Sequence, residues 1–238
     1  MNPAGQRVDA VILVADGLVY EGVDYAHRIE GRLATAGLTS ARFDLTGAPG
    51  AQPPSARAYI LTGGTTSVHS DERWMRSAVD LARRLITTAD QEQFSMIGIC
   101  LGSQILAEAL RPDSIISSKN IEVGLATIER TGDALAQQVV PAFHYQVTSP
   151  AIAEVDGVRI EWHNAHTAVQ GFGFGKRVFG YQFHPELSAG DVHNLIDYNR
   201  DVIAAWGGDV AIAHQSVEEG SAALKTDLFD RTVVDCIF

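Results

Sequence analysis

An α/β architecture, with a mostly parallel central sheet, helices on both of its faces and a small antiparallel or mixed extension, follows from three features of the sequence. Apolar runs of strand length alternate with amphipathic stretches at the spacing of βαβ units. The early runs are apolar throughout instead of at every second residue, as expected of strands covered on both faces. Beyond residue 110 the texture changes to short runs separated by turn residues, which suits antiparallel pairing. With 238 residues, 46% of them hydrophobic, the chain can bury one sizeable core without a metal or disulfide staple, so residues 1–238 are expected to form a single domain.

The elements can be justified in order. Residues 8–15 (VDAVILVA) are the first buried strand. In the helix that follows, Asp24 offers a cap, Ile29 and Leu33 share a face, and Gly37 stands where a left-handed terminator belongs. Residues 39–45 read as the second strand. Gly47, Pro49, Gly50, Pro53 and Pro54 make 46–57 a loop, and 58–61 is a third strand running into Gly63 and Gly64. Between 71 and 87, Met75, Ala78, Val79, Ala82, Leu85 and Ile86 recur every three or four residues, an amphipathic helix. Residues 94–100 are the fourth strand and 104–110 a helix. Shorter strands are expected at 122–129, 139–147, 158–162, 167–172 and 176–183, and a last helix over 191–206. The tail at 208–238 offers no clear element.

Charge and cysteine usage narrow the function classes. Twenty-nine acidic side chains against 18 basic ones give a net charge of −11, which repels phosphate backbones and anionic membrane surfaces. No apolar run is long enough for a bilayer, and no charged-then-apolar leader is visible. The two cysteines, Cys100 and Cys236, sit in dissimilar settings, as a reducing compartment permits. A cytoplasmic protein that binds neither nucleic acid nor membrane is expected.

The chemistry concentrates at the end of the fourth strand. Gly98-Ile99-Cys100-Leu101-Gly102-Ser103-Gln104 places a cysteine between a buried strand and a helix, with a glycine two positions to either side. A sharp strand-to-helix turn of this kind thrusts its side chain out above the sheet. It also sets the sulfur at a helix N-terminus, where dipole and free N–H groups favour the thiolate and the next N–H, that of Leu101, can bind an oxyanion. Free cysteine is also a common small hydrophobe at the end of a buried strand. A second cluster favours the reactive reading: Gly180-Tyr181-Gln182-Phe183-His184-Pro185-Glu186 supplies an imidazole to take the thiol proton and a carboxylate to orient it.

On these residues the sequence resembles the class I, or triad, glutamine amidotransferase domains. The Gly98-x-Cys100-x-Gly102-x-Gln104 elbow, the Gln182-to-Glu186 block and the Gly63-Gly64 pair stand in the family's order, and the motif-bearing core covers about 58–186. Ile121-Glu122-Val123-Gly124 and Phe143-His144-Tyr145-Gln146 make it most similar to stand-alone, GMP-synthase-like glutaminase domains. The resemblance implies a flavodoxin-like fold, Cys100 as nucleophile, His184 as base and then acid, and Glu186 as its orienter. It also implies an oxyanion hole from the backbone N–H groups of Leu101 and the Gly63-Gly64 turn, and glutamine contacts from Gln104, His144, Tyr145 and Gln146. Three features depart from the family: Ser103 where histidine is frequent, a glycine turn (61–66, LTGGTT) without flanking prolines, and Tyr145-Gln146 in place of Gly-Asp.

Other signals point to less. His163 and His166, three apart, lie in a strand-and-turn context where no carboxylate or cysteine nearby completes a convincing ligand set, so no metal site is expected. Cys236 has no basic neighbour. Gly171 to Lys176 does not follow the phosphate-loop pattern and reads as a hairpin tip. No ATP-binding loop is present and no cofactor is expected. The expected function is therefore a glutaminase passing ammonia to a separate synthetase. A stand-alone γ-glutamyl amide hydrolase or peptidase is the alternative with the same triad, and a non-catalytic regulatory or scaffold subunit the alternative without chemistry.

Overall fold

The computed structural model describes residues 7–47 and 50–238; Pro49, one of the loop residues named above, lies outside them. In chain order its elements are β1 (Val8–Val14), β2 (Leu18–Tyr20), β3 (Val23–Asp24), α1 (Tyr25–Thr35), β4 (Ser40–Asp44), β5 (Ala56–Leu61), α2 (Arg73–Glu92), β6 (Ser95–Ile99), α3 (Leu101–Leu110), β7 (Ile115–Arg130), β8 (Asp133–Thr148), β9 (Val158–His163), β10 (Gly171–Phe174), β11 (Val178–Tyr181), α4 (Ala189–Tyr198), α5 (Arg200–Ala205) and α6 (Val210–Gly220). A nine-stranded sheet runs β4-β1-β5-β6-β11-β10-β9-β7-β8. From β4 to β11 every pairing is parallel, and from β11 onward every pairing is antiparallel.

Alternation along the buried strands sorts side chains to the two faces. From β1, Val11 and Leu13 enter a core closed by α2 and α3 through Met75, Leu81, Ile105 and Leu106. Ala10 and Ile12 enter the opposite core, closed by Ile29 and Leu33 of α1. Each such aliphatic side chain contributes about 1.5–3 kcal/mol on full burial. Asp24 caps α1 as expected, accepting the His27 N–H at 2.6 Å. The tail acquires a place that its composition did not reveal: Leu228, Phe229, Val233 and Ile237 pack beside α1 on that second face.

The antiparallel part is more extended than the expected short strands, because β7 and β8 are 16 residues each and pair almost end to end. The last expected helix is broken at Asn199, whose backbone leaves helical angles (φ −116°, ψ 28°) and whose side chain donates to the Leu195 carbonyl. Its two parts, α4 and α5, join α6 and Ile121 in a third cluster above the C-terminal edge of the parallel strands. That edge is where open α/β sheets build their sites.

Candidate active site

Cys100 occupies the turn between β6 and α3 with φ 50° and ψ −108°, a left-handed conformation that a non-glycine residue holds only under constraint. The turn closes so tightly that a Cβ on Gly98 would meet the Gly102 carbonyl oxygen at 2.5 Å, and one on Gly102 would meet that of Leu61 at 2.3 Å. The Tyr181 carbonyl accepts the Cys100 N–H at 2.8 Å, tying the elbow to β11. Helix α3 starts at Leu101, three residues earlier than the sequence indicates, with Ser103 Oγ donating to the Cys100 carbonyl at 2.9 Å.

The segment after β11 delivers the imidazole. His184 Nδ1 and Glu186 Oε1 lie 2.8 Å apart and both residues are buried. Nε2 of His184 is buried and finds no hydrogen-bond partner among the described residues. Burial alone would lower the imidazole pKa, but the Glu186 carboxylate and then the adjacent Cys100 sulfur outweigh it and push it up to about 10. Tyr25, the first residue of α1, stacks on the ring at 5.0 Å between centroids and 17° between planes. The thiol and the free imidazole nitrogen are thus neighbours, and such a pair can exchange one proton.

The glycine turn faces the elbow. Gly102 donates to the Thr62 carbonyl at 3.0 Å, and a Cβ on Gly63 would meet His184 Cε1 at 2.8 Å. Asp16, just beyond β1, clasps the same loop: its oxygens accept the N–H groups of Thr65 and Thr66 at 3.1 and 3.2 Å and their hydroxyls at 2.9 and 2.6 Å. Among the described residues neither the Leu101 nor the Gly64 N–H has an acceptor within the protein, the state of a donor available to a ligand.

Cys100, Leu101, Gly64 and Tyr25 open on a cavity of about 210 Å³. Gln104, His144, Tyr145 and Gln146, all anticipated as substrate contacts, line it too. Gln104 Nε2 donates to the Gln146 carbonyl at 2.8 Å, Tyr145 stacks on Trp206 with centroids 4.4 Å apart, and Gln182 Nε2 points at Cys100 Sγ from 3.7 Å. Sequence reasoning missed Asp16, which holds the glycine loop, Tyr25, which stacks on His184, and Leu18, Asn199 and Val202, which line the cavity with Tyr25. For Asp16 the Asp-Gly pair closing the first strand was an available signal; for Asn199 there was none.

It also missed a second histidine–carboxylate pair. Glu122 of β7 stands opposite His144 in the hairpin register, with Oε2 and Nε2 2.9 Å apart. Asn164, Thr167 and Gln170 donate to the same carboxylate at 2.6, 3.0 and 2.7 Å. Burial would raise the carboxyl pKa, yet the His144 contact and then Asn164 and His166 hold it at about 2. Glu122, His144 and His166 share the composition of a metal centre, with ligand atoms within 4.8 Å, so the carboxylate absent from the sequence neighbourhood of His166 is supplied across the fold. Their hydrogen bonds already account for the cluster. His163 ends β9 facing Glu129 instead. Cys236 is packed, its thiol pushed up to about 11 by burial, and Gly175 to Arg177 form the turn between β10 and β11.

The chain was compared with known proteins. It is 23% identical over 145 residues to a glutamine amidotransferase-like protein of Schizosaccharomyces pombe, covering 60% of this chain and 58% of that one. It is 27% identical over 168 residues to the glutamine-hydrolyzing GMP synthase of Lactiplantibacillus plantarum, covering 66% of this chain and 28% of the synthase. A crystal structure of a glutamine amidotransferase from Thermotoga maritima shares the fold, with TM-score 0.72 and 20% identity over 96% of this chain and 99% of that one. Since the profile of the glutamine amidotransferase class-I family matches residues 22–199, most of the chain and both halves of the site, the protein belongs to that family.

Proposed function

We propose that this chain hydrolyses the side-chain amide of glutamine through a Cys100 thioester and supplies the released ammonia to a separate synthetase. The observation that carries this reading is the buried His184–Glu186 pair, with His184 Nε2 left without a partner among the described residues beside the thiol on its elbow. The Cys100 thiolate attacks the amide carbon, and the tetrahedral oxyanion is held by the N–H groups of Leu101 and of the Gly63-Gly64 turn. One such donor typically contributes about 2.7–4 kcal/mol to transition-state stabilisation. Protonated His184 gives its proton to the leaving nitrogen, ammonia departs, and a γ-glutamyl thioester remains. His184 then takes a proton from water, hydroxide adds to the thioester carbonyl, and glutamate leaves as the thiolate re-forms. Glu186 fixes the ring and stabilises the imidazolium.

A synthetase partner agrees with the likeness to a glutamine-hydrolyzing GMP synthase, of which the aligned segment spans 28%. Among the described residues no helix is long and apolar enough to cross a membrane, and two unpaired cysteines suit the cytoplasm. The test is glutamate release from glutamine and from a panel of γ-glutamyl amides, with Cys100→Ala as the blank. Cys100-dependent release from glutamine, alone or raised by an added synthetase, is the expected result. Fast release from another γ-glutamyl amide with glutamine a poor substrate would transfer the reading to a stand-alone hydrolase.

A further inference from the structure

We infer that Glu122 fixes His144 so that its Nδ1 accepts a hydrogen bond from the α-ammonium group of the substrate, which makes His144 a specificity residue and Glu122 its positioning residue. The inference rests on the glutamine reading above and adds the end of the molecule that this corner of the pocket recognises.

Three neutral donors, the Asn164 and Gln170 amides and the Thr167 hydroxyl, already point at the Glu122 carboxylate. A carboxylate offers only acceptors, so the His144 nitrogen 2.9 Å from Oε2 must present an N–H. In the neutral ring this places the proton on Nε2 and leaves the lone pair on Nδ1. Nδ1 is buried and has no partner among the described residues, although His144 lines the cavity together with Cys100 and Gln104. A buried polar atom without a partner is costly, and a ligand donor would remove that cost.

The substrate's own donors identify the group. Among the described residues no lysine, arginine, aspartate or glutamate lines the cavity; the Cys100 sulfur lies beside the His184 imidazole, and His166 stands 3.5 Å from Glu122. Asp16 is engaged through both oxygens by Thr65 and Thr66, whereas the His144 Nδ1 lone pair has no donor among the described residues. Glutamine brings two donor groups, and since the proposed reaction holds its side-chain amide at Cys100, the α-ammonium group is the one left for Nδ1.

The experiment is calorimetric titration of the full-length Cys100→Ala protein, and of the same protein carrying His144→Ala or Glu122→Gln, with three ligands. L-Glutamine carries both charged ends, glutaramate lacks the α-amino group, and 4-aminobutanamide lacks the α-carboxylate. The inference predicts that the Cys100→Ala protein binds glutaramate at least about ten-fold more weakly than glutamine. It further predicts that either second substitution weakens glutamine and 4-aminobutanamide about ten- to hundred-fold and leaves glutaramate unchanged, with Glu122→Asp recovering part of the loss. Equal binding of glutamine and glutaramate before any second substitution overturns it, even if the variants fail to fold. So does an equal loss for all three ligands, the mark of a structural role, or a loss confined to glutaramate, the mark of an imidazolium reading the carboxylate. If glutamine neither binds nor is hydrolysed by the Cys100 protein, the glutamine reading falls and takes the inference with it; hydrolysis without discrimination removes the inference alone.

Discussion

Two histidine–carboxylate pairs of nearly equal length flank the cavity, 2.8 Å in His184–Glu186 and 2.9 Å in His144–Glu122, and they are built in opposite ways. Glu186 is two residues from its histidine, and its second oxygen has no partner among the described residues, so its charge acts mainly on the ring and the imidazole pKa rises. Glu122 is reached across a hairpin, and its carboxyl pKa falls, through the His144 contact first and then Asn164 and His166, while Thr167 and Gln170 add further donors to it. The same two groups at the same separation therefore serve different ends. A carboxylate with few other donors energises its histidine, whereas a saturated one orients it.

The largest effects that could break this contrast are catalytic. We expect His184→Ala to lower kcat for glutamine by at least about 10⁴-fold and Glu186→Ala by about 10²- to 10⁴-fold, because in the proposed mechanism Glu186 orients and does not react. His144→Ala should act chiefly on KM. A kcat loss in His144→Ala equal to that in His184→Ala would erase the distinction. Next in size, Gly63→Ala should reduce kcat/KM about ten- to hundred-fold, since its Cβ would stand 2.8 Å from His184 Cε1 and displacement of the ring spoils proton transfer.

Stability against pH should separate the pairs by sign. His184 has a raised pKa, so its protonated form stabilises the fold fully below the ordinary imidazole value near 6.5, and that contribution is lost as pH rises toward about 10. Glu122 has a lowered pKa, so its contribution is full above 4.5 and is lost as pH falls toward about 2. The gap in melting temperature between the unsubstituted protein and His184→Asn should close on the alkaline side, and that for Glu122→Gln on the acid side. Gaps that close in the same direction would contradict the account. The smallest expected effect is that of Trp206→Ala, which removes the ring stacked on Tyr145; the pairing itself contributes about 0.5–1.5 kcal/mol, read by urea denaturation.

The contrast also explains what the sequence revealed. The elbow is legible because Gly98, Cys100 and Gly102 are close in sequence and each has a local steric reason. The His184–Glu186 pair is legible because its members are two residues apart. The second pair is not, since Glu122 and His144 meet only once the register of β7 and β8 is set, and Asn164, Thr167 and Gln170 arrive from a connection read as partly strand. The parallel strands announce themselves by apolar content, whereas the tail owes its order to Leu228, Phe229, Val233 and Ile237 filling a face of the sheet, a tertiary cause without a local pattern.

The central claim is that Cys100 is the group that reacts, and the most direct measurement is the intact mass of the protein after exposure to a chloroketone analogue of glutamine. The account predicts a single adduct mapped to Cys100, suppressed by excess glutamine, slowed in His184→Ala and absent in Cys100→Ala although Cys236 is still present. An adduct on Cys236, or labelling that persists undiminished in Cys100→Ala, would contradict it.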